Sequence, residues 1–325
     1  MPTVAVIELG SHTARLLIAE VSGFPPALRT LARERAYVRV AEGFDAAGAR
    51  LIRRDAFSRA VDAVESFSRL LDDHGSESVC AVATGVIREA VNQQEFVDHI
   101  FERTAVRVRP ITGAREAWLT GTGVLHALGI QAGPFFIFDV GGGSTECFYG
   151  IKGEEKARSL PLGASLLTQQ YFSSDPPGDS EITALLAHVR DHIRWTKGVV
   201  RPARIAATGG TVVTLAAMVH DIAVQGLTPE KVNGLRVSVP QLDECLMHLS
   251  RLRLEQRTRR MGLDRDRARV ILAGALVVRR LLENLGSHTL EVSMSDLLEG
   301  VAADRSASAR FHGDGHHLKG DYHNE

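Results

Sequence analysis

The chain has 325 residues, 44% of them hydrophobic and 24% charged, with a formal net charge of -1 and a pI near 6.9. That is the composition of a globular protein long enough for two domains, without the basic surplus of a duplex nucleic-acid binder. An anionic small substrate stays open, because local arginine placement decides that question.

In chain order, short apolar runs predict strands over 3–9, 15–21, 79–83, 106–111, 135–140, 147–151, 157–160, 205–207 and 290–292. Amphipathic runs predict helices over 55–74, 93–103, 114–128, 165–172, 180–198, 211–219, 240–252, 266–285 and 297–303. The alternation argues an α/β fold. Strand 3–9, a Gly-Ser turn and strand 15–21 suggest an antiparallel start, and 135–151 repeats it as strand, acid, Gly-rich turn, strand. Such a repeat implies two half-molecules facing each other across a cleft. Loop signals at Gly129, Gly133 and Pro134 set domains at 1–128 and 129–303. From residue 304 to 325 the chain is polar and rich in Gly, Ser and His, which reads as a disordered tail. Its His312, His316, His317 and His323 are read as solvated rather than as a metal site.

The amino terminus has no basic stretch followed by a long apolar one, so no leader is expected. Apolar runs such as 270–278 fall far short of the roughly 18 residues of a membrane span, and a cytoplasmic location follows by default. Cys80, Cys147 and Cys245 are odd in number and widely spaced, which predicts free thiols rather than a disulfide framework or zinc knuckle.

Chemistry concentrates in Gly-rich turns that follow strands. Asp139-Val140-Gly141-Gly142-Gly143-Ser144-Thr145-Glu146 places three glycines between an acid and two hydroxyls. Such a backbone can turn tightly and aim successive N–H groups at a phosphate oxygen, with Ser144 and Thr145 as further donors. Asp139 at the strand's end is placed to hold Mg²⁺, directly or through water. A hairpin turn is the structural alternative. Gly209-Gly210-Thr211 follows a second strand and opens a helix, whose free N–H groups and dipole suit an anion. Glu8-Leu9-Gly10-Ser11-His12-Thr13, followed by Arg15, is the third turn: Glu8 matches Asp139 in position, and Arg15 can reach phosphate through two nitrogens. A tight turn with a solvated arginine explains that segment equally well.

Glu116 stands in the first turn of a predicted helix. The helix dipole favours an acid there whatever the function, yet a carboxylate near the cleft can also orient and deprotonate water. At an ordinary carboxylate pKa it would be ionised at neutral pH. Arg88 is a candidate phosphate clamp, or the partner of Glu89 or another acid.

These turns, with Thr112-Gly113-Ala114-Arg115-Glu116-Ala117 and Ala83-Thr84-Gly85-Val86-Ile87-Arg88-Glu89-Ala90, resemble exopolyphosphatases and guanosine pentaphosphate phosphohydrolases from about residue 4 to 301. The resemblance implies two actin-like (ribonuclease H-like) α/β domains with mixed sheets about a cleft, and Mg²⁺-dependent removal of terminal phosphate from polyphosphate or guanosine pentaphosphate. It implies Glu116 as catalytic base. Ser11, Arg15, Arg88, Gly141, Gly142, Gly143, Ser144, Thr145, Gly209, Gly210 and Thr211 would bind phosphate, and Asp139, Glu146 and Glu8 would lie near metal. A homodimer rests on the resemblance alone. The chain departs from the pattern at Glu8 for Asp and at His12 for Asn. Arg115 and Arg269 stand where acids are common, and Met294 and Leu298 replace an Asp and an Arg in Ser293-Met294-Ser295-Asp296-Leu297-Leu298-Glu299-Gly300. Two other readings follow from the same residues. A kinase or ATPase of this superfold shares acidic Gly-rich loops, and a non-catalytic sensor of polyphosphate, guanosine pentaphosphate or tetraphosphate would tolerate the departures.

Overall fold

Strand β1 (Thr3–Leu9) is buried along Ala5 to Leu9 and pairs antiparallel with β2 (Thr13–Ser22), which sets Glu8 opposite Arg15. A computed structural model describes residues 2–23, 27–44, 50–76, 78–199 and 201–304; the expected tail, with its four histidines, lies outside the described residues except for Asp304. β3 (Ala27–Tyr37), α1 (Arg54–Asp73), β4 (Ser78–Ala83), α2 (Gln93–Thr104) and β5 (Val108–Pro110) complete the first half, in sheet order β3-β2-β1-β4-β5. α1 buries Phe57, Ala60, Val64, Phe67 and Leu71, the three- and four-residue spacing of a single apolar face.

α3 (Gly113–Ala127) leads into the second half: β6 (Phe135–Val140), β7 (Thr145–Ile151), β8 (Glu154–Leu160), α4 (Ala164–Tyr171), α5 (Asp179–Ile193), β9 (Arg204–Thr208) and α6 (Gly209–Val219). Then come α7 (Pro229–Val232), β10 (Arg236–Ser238), α8 (Val239–Arg251), α9 (Leu254–Met261), α10 (Arg265–Leu285), β11 (Thr289–Val292) and α11 (Leu297–Ala303). The second sheet runs β10-β11-β9-β6-β7-β8. The repeat expected from sequence holds at the level of register. β6 and β7 form the same antiparallel hairpin as β1 and β2, with Asp139 opposite Glu146, and β9 joins β6 in parallel as β4 joins β1. This is the two-sheet, mixed α/β actin-like architecture.

The last helix returns to the first half. Leu297, Leu298, Val301 and Ala302 of α11 pack with Val6, Leu17, Val82 and Leu119. α3 bridges the halves, with Leu119 in that cluster and Val124 against Phe135, Ile137 and Phe148 of the second sheet. The two helices approach through glycine: a Cβ on Gly123 would stand 2.1 Å from the Asp296 carbonyl oxygen, and one on Gly300 2.0 Å from that of Leu119.

Several elements differ from the sequence reading. β3 was not expected, because Arg29, Arg33, Glu34 and Arg35 break its apolar pattern; it is an edge strand, where charge is tolerated and deters edge-to-edge pairing. The strand expected over 106–111 spans only Val108–Pro110, and the helix expected over 180–198 ends at Ile193 before a tighter turn over Arg194–Gly198. α7 and β10 are only a few residues long, and α9 is strongly polar with only Leu254 and Met261 apolar, so none carries an apolar run to detect. All three cysteines are buried and free. Among the described residues no helix is long and apolar enough to cross a membrane.

Candidate active site

A cleft of about 660 Å³ lies between the halves, and all three Gly-rich turns line it. Their position follows from the hairpins: β1, β6 and β9 each end at the same edge of their sheets, so the turns after Leu9, Val140 and Thr208 converge. Gly209 adopts a left-handed φ of 89°, and a Cβ there would lie 2.1 Å from Asp139 Oδ1, so glycine is required for this approach.

Glu116 opens α3, whose N-cap Thr112 accepts from the Arg115 amide at 3.2 Å. Its carboxylate is buried and ion-paired to Arg88 Nη1 at 2.7 Å, while Arg88 also donates to the Ile111 carbonyl at 3.2 Å. Arg88 therefore has Glu116 as its acid; Glu89 instead approaches Arg50 at 3.5 Å. Burial raises the Glu116 pKa, opposed by Arg88, which differs from the ordinary value expected from sequence.

Glu146 faces Glu116 electrostatically. Burial, then Glu116 and Asp139, hold its pKa well above the usual carboxylate range, and Ser159 Oγ donates to it at 2.7 Å. Asp139 is pushed up to about 8 by burial and by Asp296, with Arg15 opposing. Its Oδ1 is buried and has no hydrogen-bond partner among the described residues.

Arg15 does not project freely toward the cleft. It pairs with Glu8 at 2.5 Å and with Asp296, and Thr84 Oγ1 donates to the other Glu8 oxygen at 3.0 Å. Burial lowers the Arg15 pKa, but Asp296 and Glu8 outweigh it and raise the net value. Both Glu8 oxygens are thus engaged by protein groups. Ser11 Oγ accepts from the Val86 amide at 2.9 Å and fills the space beside Gly85 and Gly143, so it fastens two loops together. Two hydroxyls expected at phosphate turn inward. Thr145 Oγ1 donates to the Leu162 carbonyl at 2.7 Å, and Thr211 packs against Gly274 of α10. Ser144, Gly141, Gly142, Gly143, Gly209 and Gly210 do line the cleft.

Sequence reasoning missed Asp296 and Arg267. Asp296 caps α11, accepting from the Leu298 amide at 3.2 Å while Glu299 accepts from the Asp296 amide at 2.9 Å; this capping box was legible as an acid three residues before a glutamate. Arg267 is buried in the cleft wall beside Gly210, with no carboxylate at ion-pairing distance among the described residues. Burial lowers its pKa. Nothing in its sequence context separates it from the solvated arginines of α10. Met294, Val213, Val224 and Leu227 give the cleft lining apolar side chains, while Leu298 is fully buried against Val6 and Leu17.

The donor set suits a hard cation. Among the described residues no three acids, histidines or cysteines close around one point. Mg²⁺ is commonly held by one or two carboxylates, with water and phosphate completing its octahedron. The orphaned Asp139 Oδ1 and the raised Asp139 and Glu146 pKa values are what a nearby cation would relieve. Residues that fit such an ion are therefore Asp139 and Glu146.

The Ppx/GppA phosphatase family profile matches residues 17–309. Exopolyphosphatase 2 of Mycobacterium tuberculosis is 33% identical over 321 residues, covering 92% of this chain and 97% of its own. Exopolyphosphatase 1 of Mycobacterium leprae is 29% identical over 303 residues, covering 91% and 87%. The crystal structure of an exopolyphosphatase from Cytophaga hutchinsonii superposes with a TM-score of 0.84 at 26% identity, covering 92% of this chain and 96% of that one. The Aquifex aeolicus member of the Ppx/GppA family gives 0.78 at 28% identity, covering 94% and 97%.

Proposed function

The chain belongs to the Ppx/GppA phosphatase family, and on that premise we propose that it is a Mg²⁺-dependent hydrolase removing the terminal phosphate of inorganic polyphosphate, with Glu116 as general base. The observation that carries this reading is a buried carboxylate held by Arg88 in the same cleft as the Gly141–Gly143 turn, Asp139 and Glu146. A solvated helix-start acid would need neither the burial nor the arginine.

In this mechanism the backbone amides of the Gly141–Gly143 and Gly209–Gly210 turns, with Ser144, hold the terminal phosphate, and Arg267 offsets its charge. Bound beside Asp139 and Glu146, Mg²⁺ supplies further neutralisation of the transferred phosphoryl group. Glu116 positions a water in line and accepts its proton as the water oxygen bonds to phosphorus. The anhydride P–O bond breaks, and its electron pair leaves on the shortened chain. Burial raises the Glu116 pKa and makes its carboxylate a stronger base, while Arg88 opposes the shift by favouring the ionised form. Arg15 acts one step back, fixing Glu8 and Asp296 against the hairpin.

One observation favours a second substrate. The apolar side chains of Met294, Val213, Val224 and Leu227 in the cleft lining would take a nucleobase, as in guanosine pentaphosphate. Release of orthophosphate from long polyphosphate, guanosine pentaphosphate and ATP, assayed in parallel with Mg²⁺, separates these. Release from polyphosphate supports the first reading. Release from the guanosine nucleotide alone moves the substrate to the second, and release from none removes the hydrolase.

A further inference from the structure

Ser159 of β8 stands directly opposite Glu146 of β7, so the two side chains leave the sheet on the same face. The Ser159 hydroxyl donates to Glu146 Oε1 at 2.7 Å. A serine has one proton to donate, and this one is spent on a buried carboxylate that suits a cation.

The same side chain meets the helix that carries Glu116. Gly113 is the first residue of α3, and a Cβ placed on it would stand 2.4 Å from Ser159 Cβ and 3.0 Å from Ser159 Oγ. Arg88 Nη2 lies 3.4 Å from that same point, and Arg88 is the ion-pair partner of Glu116. The backbone of Gly113 is not left-handed, so the space it leaves open, and not its conformation, is what a side chain there would take away. Ser159 thus contacts Glu146 through its hydroxyl and the start of α3 through its Cβ.

That double contact has a mechanical use. A carboxylate that holds a cation must present its oxygens in a fixed direction, and the groups hydrogen-bonded to it set that direction. β8 is the edge strand of its sheet and pairs with β7 alone. Packing of Ser159 on Gly113 gives the hydroxyl a second restraint, from outside the sheet.

We propose that Ser159 is a positioning residue: its hydroxyl fixes Glu146 toward the cation, and its packing on Gly113 ties that carboxylate to the end of α3 that carries Glu116. This rests on the reading of Asp139 and Glu146 as a cation site.

The test titrates Mn²⁺, a carboxylate-seeking ion like Mg²⁺ whose free form is counted by electron paramagnetic resonance, into the full chain. Asp139→Asn, measured in parallel, identifies the binding that belongs to the cleft. Ser159→Ala is expected to weaken the Kd of that binding about 10-fold, the usual loss when a partner of a metal-holding side chain is removed. Gly113→Ala is expected to weaken it as well, by pushing Ser159 aside. In the double variant the two losses should not add, because the hydroxyl that Gly113→Ala displaces is already gone. A Kd unchanged in either single variant, or losses that add in the double one, would overturn the positioning role and leave the cation site standing. A Ser159→Ala chain that melts lower without metal yet holds Mn²⁺ as tightly as its parent would make the serine purely structural. A parent that binds no Mn²⁺, or binds it equally after Asp139→Asn, would sink the cation reading and this role with it.

Discussion

At the scale of single residues, the cleft holds more acid than its arginines neutralise, and Asp139 carries the clearest consequence. Its pKa of about 8 lies above the ordinary 3.8, through burial first and Asp296 second. The folded chain therefore holds this proton more tightly than the unfolded chain does. Ionising Asp139 costs stability that is absent below pH 3.8, grows as pH rises through the interval and is constant above about 8. Asp139→Asn removes the cost. Metal-free thermal melts should show a gain in Tm over wild type that is near zero at acid pH and largest at pH 8. A gain of equal size at every pH would refute this origin. That Glu116, Asp139 and the glycines stand in one cleft was legible because strand–turn spacing fixes where such residues must stand. Thr145 and Thr211 were not: a hydroxyl beside a glycine can face either side of the backbone, and only packing against Leu162 and Gly274 decides.

At the scale of elements, α3 and α11 position the chemistry. α3 carries Glu116 near its start, and the carbonyl of Asp296, which caps α11, lies against Gly123 of α3. Gly123→Ala forces backbone apart at that contact and should destabilise the chain by about 1–3 kcal/mol, measured by urea unfolding. Activity should fall with it, because the displaced cap carries Asp296. A variant as stable as wild type would show that the helices have slack. The bounds of α11 were predicted residue for residue, and those of α3 to within one residue. That α11 returns to the first sheet was not legible, since an apolar stripe says which face is buried and not against what. β3 was lost for a related reason: an edge strand pairs on one side only, and its arginines read as loop.

At the scale of the whole molecule, the repeated hairpin, visible in sequence as two acid–glycine turns, gives the pseudo-symmetric halves. Besides the packing of α3 and α11, ion pairs distant in sequence join the halves, and these were invisible in the sequence. Arg39 contacts both oxygens of Asp266, at 2.8 and 2.5 Å, and Arg33 pairs with Glu299. The first pair is partly exposed. Asp266→Asn should therefore change unfolding free energy by less than about 1 kcal/mol; a larger loss would make this contact a principal clasp.

The account stands on Glu116 as the base of a Mg²⁺-dependent hydrolysis. The direct measurement is orthophosphate release from long polyphosphate with and without Mg²⁺, in wild type and Glu116→Gln. We expect release from the wild type that requires Mg²⁺, and a fall in kcat of about 10²–10⁴-fold in the variant with substrate binding retained. Equal kcat in the two proteins would contradict the account and move the proton to another acceptor.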